Sequence, residues 1–486
     1  MDFAQRQDTH PRGQARRPSW PPTSATGRRS RTLLCGCLLV ALVAAACSDS
    51  GGSGAAEDGS TTSATGGTDV STQPTAPESQ RVDVEAPSFS IPLAVDNPLF
   101  PIADLHSAIL LGNDEGHPLR IETVLLPEPK LITVDGHEVE TLVSQFVSYL
   151  DGRIHEVALD WYAQDDEGNV WYFGEDVFNY EDGVVADTDG TWIAGEDGPP
   201  GMIMPADPQV GQAYRPENIP DLVFEEVVVK SVDLTVDGPR GPVAGAIVGT
   251  ENHLLEGLYE DKAFAPGYGE FTSGVGGNLE SLALAVPTDA QPGGVPAELE
   301  TISSGAAGIF AAAESGDWDA ATGTLDAMTT AWAAHRAIGT VPPLLDIQLS
   351  QALDALAGNP LVPAVDARNP EGARNAALDV EMAALDLELQ YRPATEIGHG
   401  RFGVWAHQLV IDAASDEADP GQIAGDVTSL EWIWDRIAHT LDQADVDDIE
   451  AQLEQLRTAA DDEDTAAAAE AAPQFAHTVA GLQPTT

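Results

Sequence analysis

Arg153-Ile154-His155-Glu156-Val157-Ala158-Leu159-Asp160-Trp161-Tyr162-Ala163 alternates, turns at Asp165-Asp166-Glu167-Gly168-Asn169, and returns as Val170-Trp171-Tyr172-Phe173. Period-two alternation on both sides of an Asp/Gly/Asn turn predicts an antiparallel hairpin. One face carries Ile154, Glu156, Ala158 and Asp160, and the other carries Val157, Leu159 and Trp161. The return strand is aromatic on both faces, with Tyr172 on one and Trp171 and Phe173 on the other. Such a sheet is either covered on both sides or presents one side to something else.

The same grammar extends over residues 88–287. Asp-Gly recurs at Asp135-Gly136, Asp151-Gly152, Asp182-Gly183, Asp189-Gly190, Asp197-Gly198 and Asp237-Gly238. Both residues tolerate positive φ, which hairpin turns require. Strands are expected over Leu119–Leu126, Glu138–Leu150, Arg153–Ala163, Val170–Phe178, Phe224–Thr235 and Val243–Thr250. Neighbouring hairpins give an antiparallel meander that closes into a barrel or curls over a core.

Beyond Pro296 the grammar changes to helix. Asp317 caps a stripe of Trp318, Ala321, Leu325, Met328 and Trp332. Asp419-Pro420 opens a second stripe of Ile423, Val427, Leu430, Trp434, Ile437 and Leu441. Asp445 is read as the start of another helix, with Ala373–Tyr391 and Arg401–Ala414 as further candidates. Pro342-Pro343 and the stretch 359–370 mark breaks, and the residues from Ala466 read as a frayed helix. Short connections between amphipathic helices predict an up-and-down bundle over 296–480. The fold class expected is therefore α+β, a barrel-like antiparallel meander followed by a helical bundle.

Working outward to the N-terminus, Cys47 follows three alanines at the end of the apolar run Leu33–Ala46, with seven arginines before it. At 14 residues the run is roughly 21 Å long as a helix, short of a ~30 Å hydrocarbon core. Basic, apolar and small residues in that order read as an export signal over 1–46. Ala44-Ala45-Ala46-Cys47 resembles the lipobox of bacterial lipoproteins, although Ala44 stands where Leu is usual. That resemblance implies lipidation at Cys47 and a chain held at the extracytoplasmic face of the cell membrane. Residues 47–87 are Gly, Ser, Thr, Ala and acidic residues, with too little apolar surface to fold. As a coil of ~40 residues they would reach roughly 35 Å.

The formal net charge is −57. With 7 basic and 2 acidic residues before Cys47, the remainder holds 15 basic against 77 acidic side chains. Such a surface repels phosphates, which argues against nucleic acid partners. All three cysteines, Cys35, Cys37 and Cys47, lie in the signal region, so the rest of the chain has neither a disulfide nor a Cys-ligated metal site.

Asp160-Trp161-Tyr162-Ala163-Gln164-Asp165, followed by Gly168-Asn169-Val170-Trp171-Tyr172-Phe173-Gly174-Glu175, resembles a pattern in uncharacterised secreted and lipoprotein sequences of actinobacteria. Arg401-Phe402, Trp405, Gln408-Leu409 and Asp412-Ala413-Ala414, with Leu430-Glu431-Trp432, resemble a helical module of such lipoproteins. The resemblance implies export and anchoring, and no activity.

Three kinds of site emerge. Trp161, Tyr162, Trp171, Tyr172 and Phe173 would line a cavity for a small apolar ligand, or else form sheet core. In the bundle, Asp379 and Asp386 repeat at seven, as do Glu381 and Glu388, and Asp435 and His439 lie four apart. With His407, the residues Asp379, Asp435 and His439 are the candidates for a metal, and a non-covalent haem held by Met and His is a further alternative. Glu396-Ile397-Gly398-His399 matches half of a di-iron pair and has no second copy. His155-Glu156 begins a zincin motif, but Leu159 occupies the second His position. No nucleophile elbow or P-loop is present.

The expectation is a membrane-anchored lipoprotein with a non-catalytic binding or scaffold role, meeting a small apolar ligand or an envelope protein. No cofactor is required by the sequence. The alternatives are a metal- or haem-binding bundle and a hydrolase without a recognisable motif.

Overall fold

A computed structural model describes residues 75–274, 279–339, 341–358 and 368–485. Cys47 and the export signal lie outside the described residues. The chain has an α+β architecture, a large antiparallel sheet followed by eight helices.

The first half of the sheet contains β1 (Ser107–Asp114), β2 (His117–Leu125), β3 (Lys130–Val134), β4 (His137–Leu150), β5 (Arg153–Gln164), β6 (Val170–Glu181) and β7 (Val184–Asp187). Short strands follow at β8 (Trp192–Ile193), β9 (Gly201–Met204), β10 (Ala213–Tyr214) and β11 (Asn218–Ile219). A second meander runs through β12 (Val223–Gly238), β13 (Gly241–His253), β14 (Leu258–Ala265), β15 (Gly269–Ser273) and β16 (Leu279–Val286). The two meanders join because the last strand pairs with the first, β16 with β1.

The resulting order is β10-β12-β13-β14-β15-β16-β1-β2-β4-β5-β6-β7, and among the described residues no ladder closes it into a barrel. The sheet nevertheless curls until β9, on the β6 side, approaches β10. A backbone hydrogen bond from Met202 N to Arg215 O spans this seam at 2.8 Å. Gly201 permits the approach, since a Cβ there would lie 1.8 Å from Pro216 O.

The predicted strands form within a few residues of their expected ends. One face assignment is corrected. The β4–β5 register shifts next to Ser148, so Ile154 joins Val157 on the outer side instead of following Glu156 inward. The expected tether boundary at residue 87 also moves. Ala76 N donates to Glu226 Oε1 at 2.7 Å and Val82 N donates to Ala213 O at 3.0 Å, so the chain is docked on the sheet from about residue 76.

The helices are α1 (Ala297–Ser315), α2 (Trp318–Ile338), α3 (Pro343–Ala357), α4 (Pro370–Glu388), α5 (Ala394–Ala414), α6 (Pro420–Ile437), α7 (Gln443–Asp461) and α8 (Thr465–Gly481). Asp317 and Asp419 cap α2 and α6 as expected. Asp442, not Asp445, caps α7, because its carboxylate accepts from Ala444 N and Asp445 N. The final helix is docked and not frayed, with Phe475 buried against Phe402. Among the described residues no helix is long and apolar enough to cross a membrane.

The helices pack around two cores, one built mainly by α1–α4 and the other by α5–α8, with Ile397, Val404 and Ile411 of α5 joining the first. Both cores extend onto the outer face of the sheet. Ile109, Leu284 and Val286 enter the first, and Val147, Tyr149, Ile154 and Val157 enter the second. Thus the apolar side of β5 faces outward, under helices, and its Glu156–Ala158–Asp160 side faces the space inside the curl.

Charges are also buried at this junction. Arg120 and Arg401 each bind Asp386 Oδ1 at 2.7 Å, and Arg436 pairs with Glu122 and Gln145. Arg401 also reaches Glu122 Oε2 at 3.3 Å. Burial would raise the Glu122 pKa, but Arg120, Arg401 and Arg436 together hold it well below the usual carboxylate range.

Candidate functional site

The curled sheet encloses a cavity of about 240 Å³. It exceeds the roughly 150 Å³ of an apolar cavity that accommodates benzene. Inward positions at period two on successive strands supply its wall. One side is apolar, with Phe100, Leu110, Ile121, Phe146, Val227 and Phe264. The other carries carboxylates: Glu156 and Asp160 from β5, Glu175 from β6, Glu217 near the seam, and Glu225, Glu251, Glu260, Glu270 and Glu280 from the second meander. Lys262 and His253 are the cationic side chains of the lining.

Tyr162 and Tyr172 stack in this wall with ring centroids 5.0 Å apart. The Tyr172 hydroxyl donates to Asp160 Oδ1 at 2.8 Å. Burial pushes Asp160 up to about 7 despite that bond. Glu156 is likewise raised to about 7 by burial and then by the charge of Asp160. Glu175 and Glu217 lie within hydrogen-bonding reach of each other, and burial raises both well above the ordinary range, helped at Glu175 by the charge of Glu217 and at Glu217 by that of Glu225. Trp192 Nε1 donates to Glu217 Oε1 at 2.9 Å.

On the opposite wall His253 Nδ1 lies 2.6 Å from Glu225 Oε1, and Nε2 lies 3.6 Å from Glu260 Oε1. Lys262 Nζ is 2.5 Å from Glu251 Oε2 and 3.2 Å from Glu260 Oε1. Burial alone would lower His253, but the Glu225 and Glu260 carboxylates raise it to about 10. Glu280 is only 5% exposed and is pushed up to about 8 by burial and then by Glu270. Among the described residues, no side-chain hydrogen bond or ion pair reaches Glu156, Glu270 or Glu280. The cavity therefore holds more carboxyl groups than its own cations pair with, and burial holds those left over toward their neutral form.

Of the five aromatic candidates, Tyr162 and Tyr172 line the cavity. Trp161, Trp171 and Phe173 point the other way and are core. Lys130 Nζ sits 3.0 Å from the Trp161 ring centroid, Trp171 Nε1 donates to Asp165 Oδ2 at 2.7 Å, and Phe89 packs edge-on to Phe173. Asp165 also accepts from Glu167 N, Asn169 N and Asn169 Nδ2, so the acidic loop 165–169 is a turn held by its own carboxylate.

The four bundle candidates do not converge. Asp379 is exposed on α4 at a cleft of about 920 Å³ between sheet and helices. His407 packs against Phe310 with ring centroids 4.8 Å apart. Asp435 and His439 are exposed. Asp386 is taken by arginines, and Glu388 accepts from Ser303 and pairs with Arg392. Among the described residues, the grouping of three ligand-type side chains is Glu251, His253 and Glu260, in the sheet and not the bundle.

Sequence reasoning passed over these residues. The available signal was acidic and basic side chains at period two within β-rich runs, Glu251-x-His253 and Glu260-x-Lys262, where such residues are otherwise depleted.

With this geometry in hand, comparison with known proteins adds no relative. The chain matches no protein-family model, and no curated protein is significantly similar to it.

Proposed function

We propose that this chain is a lipid-anchored extracytoplasmic binding protein whose β-domain holds a small, positively charged ligand inside the curled sheet. The observation that carries the reading is that the carboxyls of Glu156, Glu270 and Glu280 face the cavity with no ion-pair partner among the described residues. Unpaired buried carboxylates are costly, and a cationic ligand removes that cost. A wholly apolar ligand, expected from the aromatic residues, would deepen the desolvation of the same carboxylates. The stacked tyrosines and the Leu110–Ile121–Phe264 side suit the apolar part of an amine. Export and anchoring rest on the lipobox-like stretch before Cys47.

Thermal melting with small primary amines and their isosteric alcohols tests the ligand class. The amines should raise Tm and the alcohols should not; equal effects would sink the reading. Anchoring is tested separately by fractionation, where Cys47→Ala should move the protein from membrane to soluble fractions.

One observation favours a second reading, acid–base catalysis. Glu156 and Asp160, both near 7, face a cavity with the Glu175–Glu217 pair, and such tuned carboxyls concentrate at catalytic sites. Turnover of a bound amine or ester, abolished by Asp160→Asn with ligand affinity retained, would place this reading first.

A further inference from the structure

We propose that Glu251, His253 and Glu260 form a site for a divalent metal of the zinc class, opening onto the cavity, with Glu225 orienting His253. This deepens the cation-binding reading and rests on it. One carboxylate oxygen from each glutamate and a ring nitrogen of His253 lie within 4.8 Å of one another. Their placement follows from the sheet. Glu251 and His253 are two apart on β13 and share its inner face, while Glu260 stands directly opposite Glu251 on β14. Two carboxylates opposed across a buried ladder repel unless a cation lies between them.

The surroundings have the form of an outer ligand shell. The Glu225 carboxylate on Nδ1 at 2.6 Å fixes the imidazole with Nε2 toward Glu260. Carboxylate–histidine pairs of this kind hold the tautomer that a metal needs. Ser273 Oγ donates to Glu260 Oε2 at 2.8 Å, leaving Oε1 directed at the centre. One nitrogen and two carboxylate oxygens, with a face open to the cavity, suit zinc better than calcium or magnesium, which favour all-oxygen sets.

At present the Lys262 ammonium lies between the two glutamates as a tethered cation. The wall also supplies somewhere for it to go. Glu280 is 5% exposed, faces the same cavity, and has no hydrogen-bond or ion-pair partner among the described residues. On metal binding the ammonium turns toward Glu280 and Glu270, the metal takes its position, and His253 releases its Nε2 proton to solvent. This exchange gives Glu280 a partner that it otherwise lacks.

The test is calorimetric titration of the mature protein with zinc chloride alone, near neutral pH. Wild type should bind one equivalent. Lys262→Met, which removes the competing cation, should bind at least tenfold more tightly. Glu225→Gln should keep the stoichiometry and lose about 10–100-fold in affinity, and His253→Ala should lose the site. Absorption of the cobalt-loaded wild type supplies a readout that needs no variant, and intense visible bands of a low-coordinate site are expected. Failure of both wild type and Lys262→Met to bind zinc would overturn the proposal, as would binding indifferent to His253. Stabilisation by amines without zinc uptake would overturn this proposal alone and leave the cation-binding reading standing. Loss of both effects would remove the two together.

Discussion

The two sides of one sheet treat buried carboxylates in opposite ways. On the outer side, Glu122 and Asp386 meet Arg120, Arg401 and Arg436, and the arginines hold the Glu122 carboxyl well below its usual range. On the inner side, Glu156, Glu270 and Glu280 have no such partners and are raised. The chain has only 15 basic residues after Cys47, yet three of them gather under the helices. The outer cluster is a matched structural weld, whereas the inner one leaves carboxyl groups without a cationic partner among the described residues. The difference lies in partners and not in burial, because both sets are removed from bulk water.

Breaking the weld should have the largest effect. Asp386→Ala leaves Arg120, Arg401 and Arg436 sharing Glu122 alone in a buried site, and unfolding by urea should show a loss of about 3–5 kcal/mol. A loss under 1 kcal/mol would mean that the junction is wetter than its geometry implies. The inner face should respond with the opposite sign. Glu156 has a folded value near 7, above its ordinary 4.5, so its favourable contribution is present at low pH and disappears as pH rises through 7. Glu156→Gln should therefore match wild type near pH ~4, below the unfolded value, and exceed it by on the order of 2 kcal/mol near pH ~8. Parallel curves across that range would mean that Glu156 titrates normally. The smallest effect is expected at Tyr172→Phe, which removes one hydrogen bond to Asp160 and should cost about 1 kcal/mol. Its Asp160 carboxyl signal should titrate at higher pH than in wild type, and an unchanged midpoint would remove Tyr172 from the electrostatics of the site.

The hairpins and most helices were legible because they rest on local signals. Asp-Gly turns, period two and the caps at Asp317 and Asp419 each act within a few residues. Both faces of β5 were legible too, except at Ile154, where the bulge next to Ser148 inverts the order. What alternation does not encode is the identity of the cover. Val157 and Leu159 read as one apolar face with no sign of which side it takes, and α6, more than 250 residues later, buries them from the outside. The cavity was illegible for a related reason. Its carboxylates arrive one or two per strand from sites spread over 156–280, and only the β16–β1 pairing brings the two meanders around one space. The bundle candidates failed because heptad spacing at 379 and 386 fixes a helix face without fixing what that face meets.

The first described residues have a mechanical consequence. Ala76 is bonded to Glu226, Val82 to Ala213, and Asp83 accepts from Arg215 N at 3.1 Å. These attachments fall on β12, β10 and the residue that accepts the seam bond from Met202. Tension applied along the chain from the N-terminal side would therefore enter the wall at β10, β12 and the seam residue Arg215, before it reached the ladders of β4, β5 and β6.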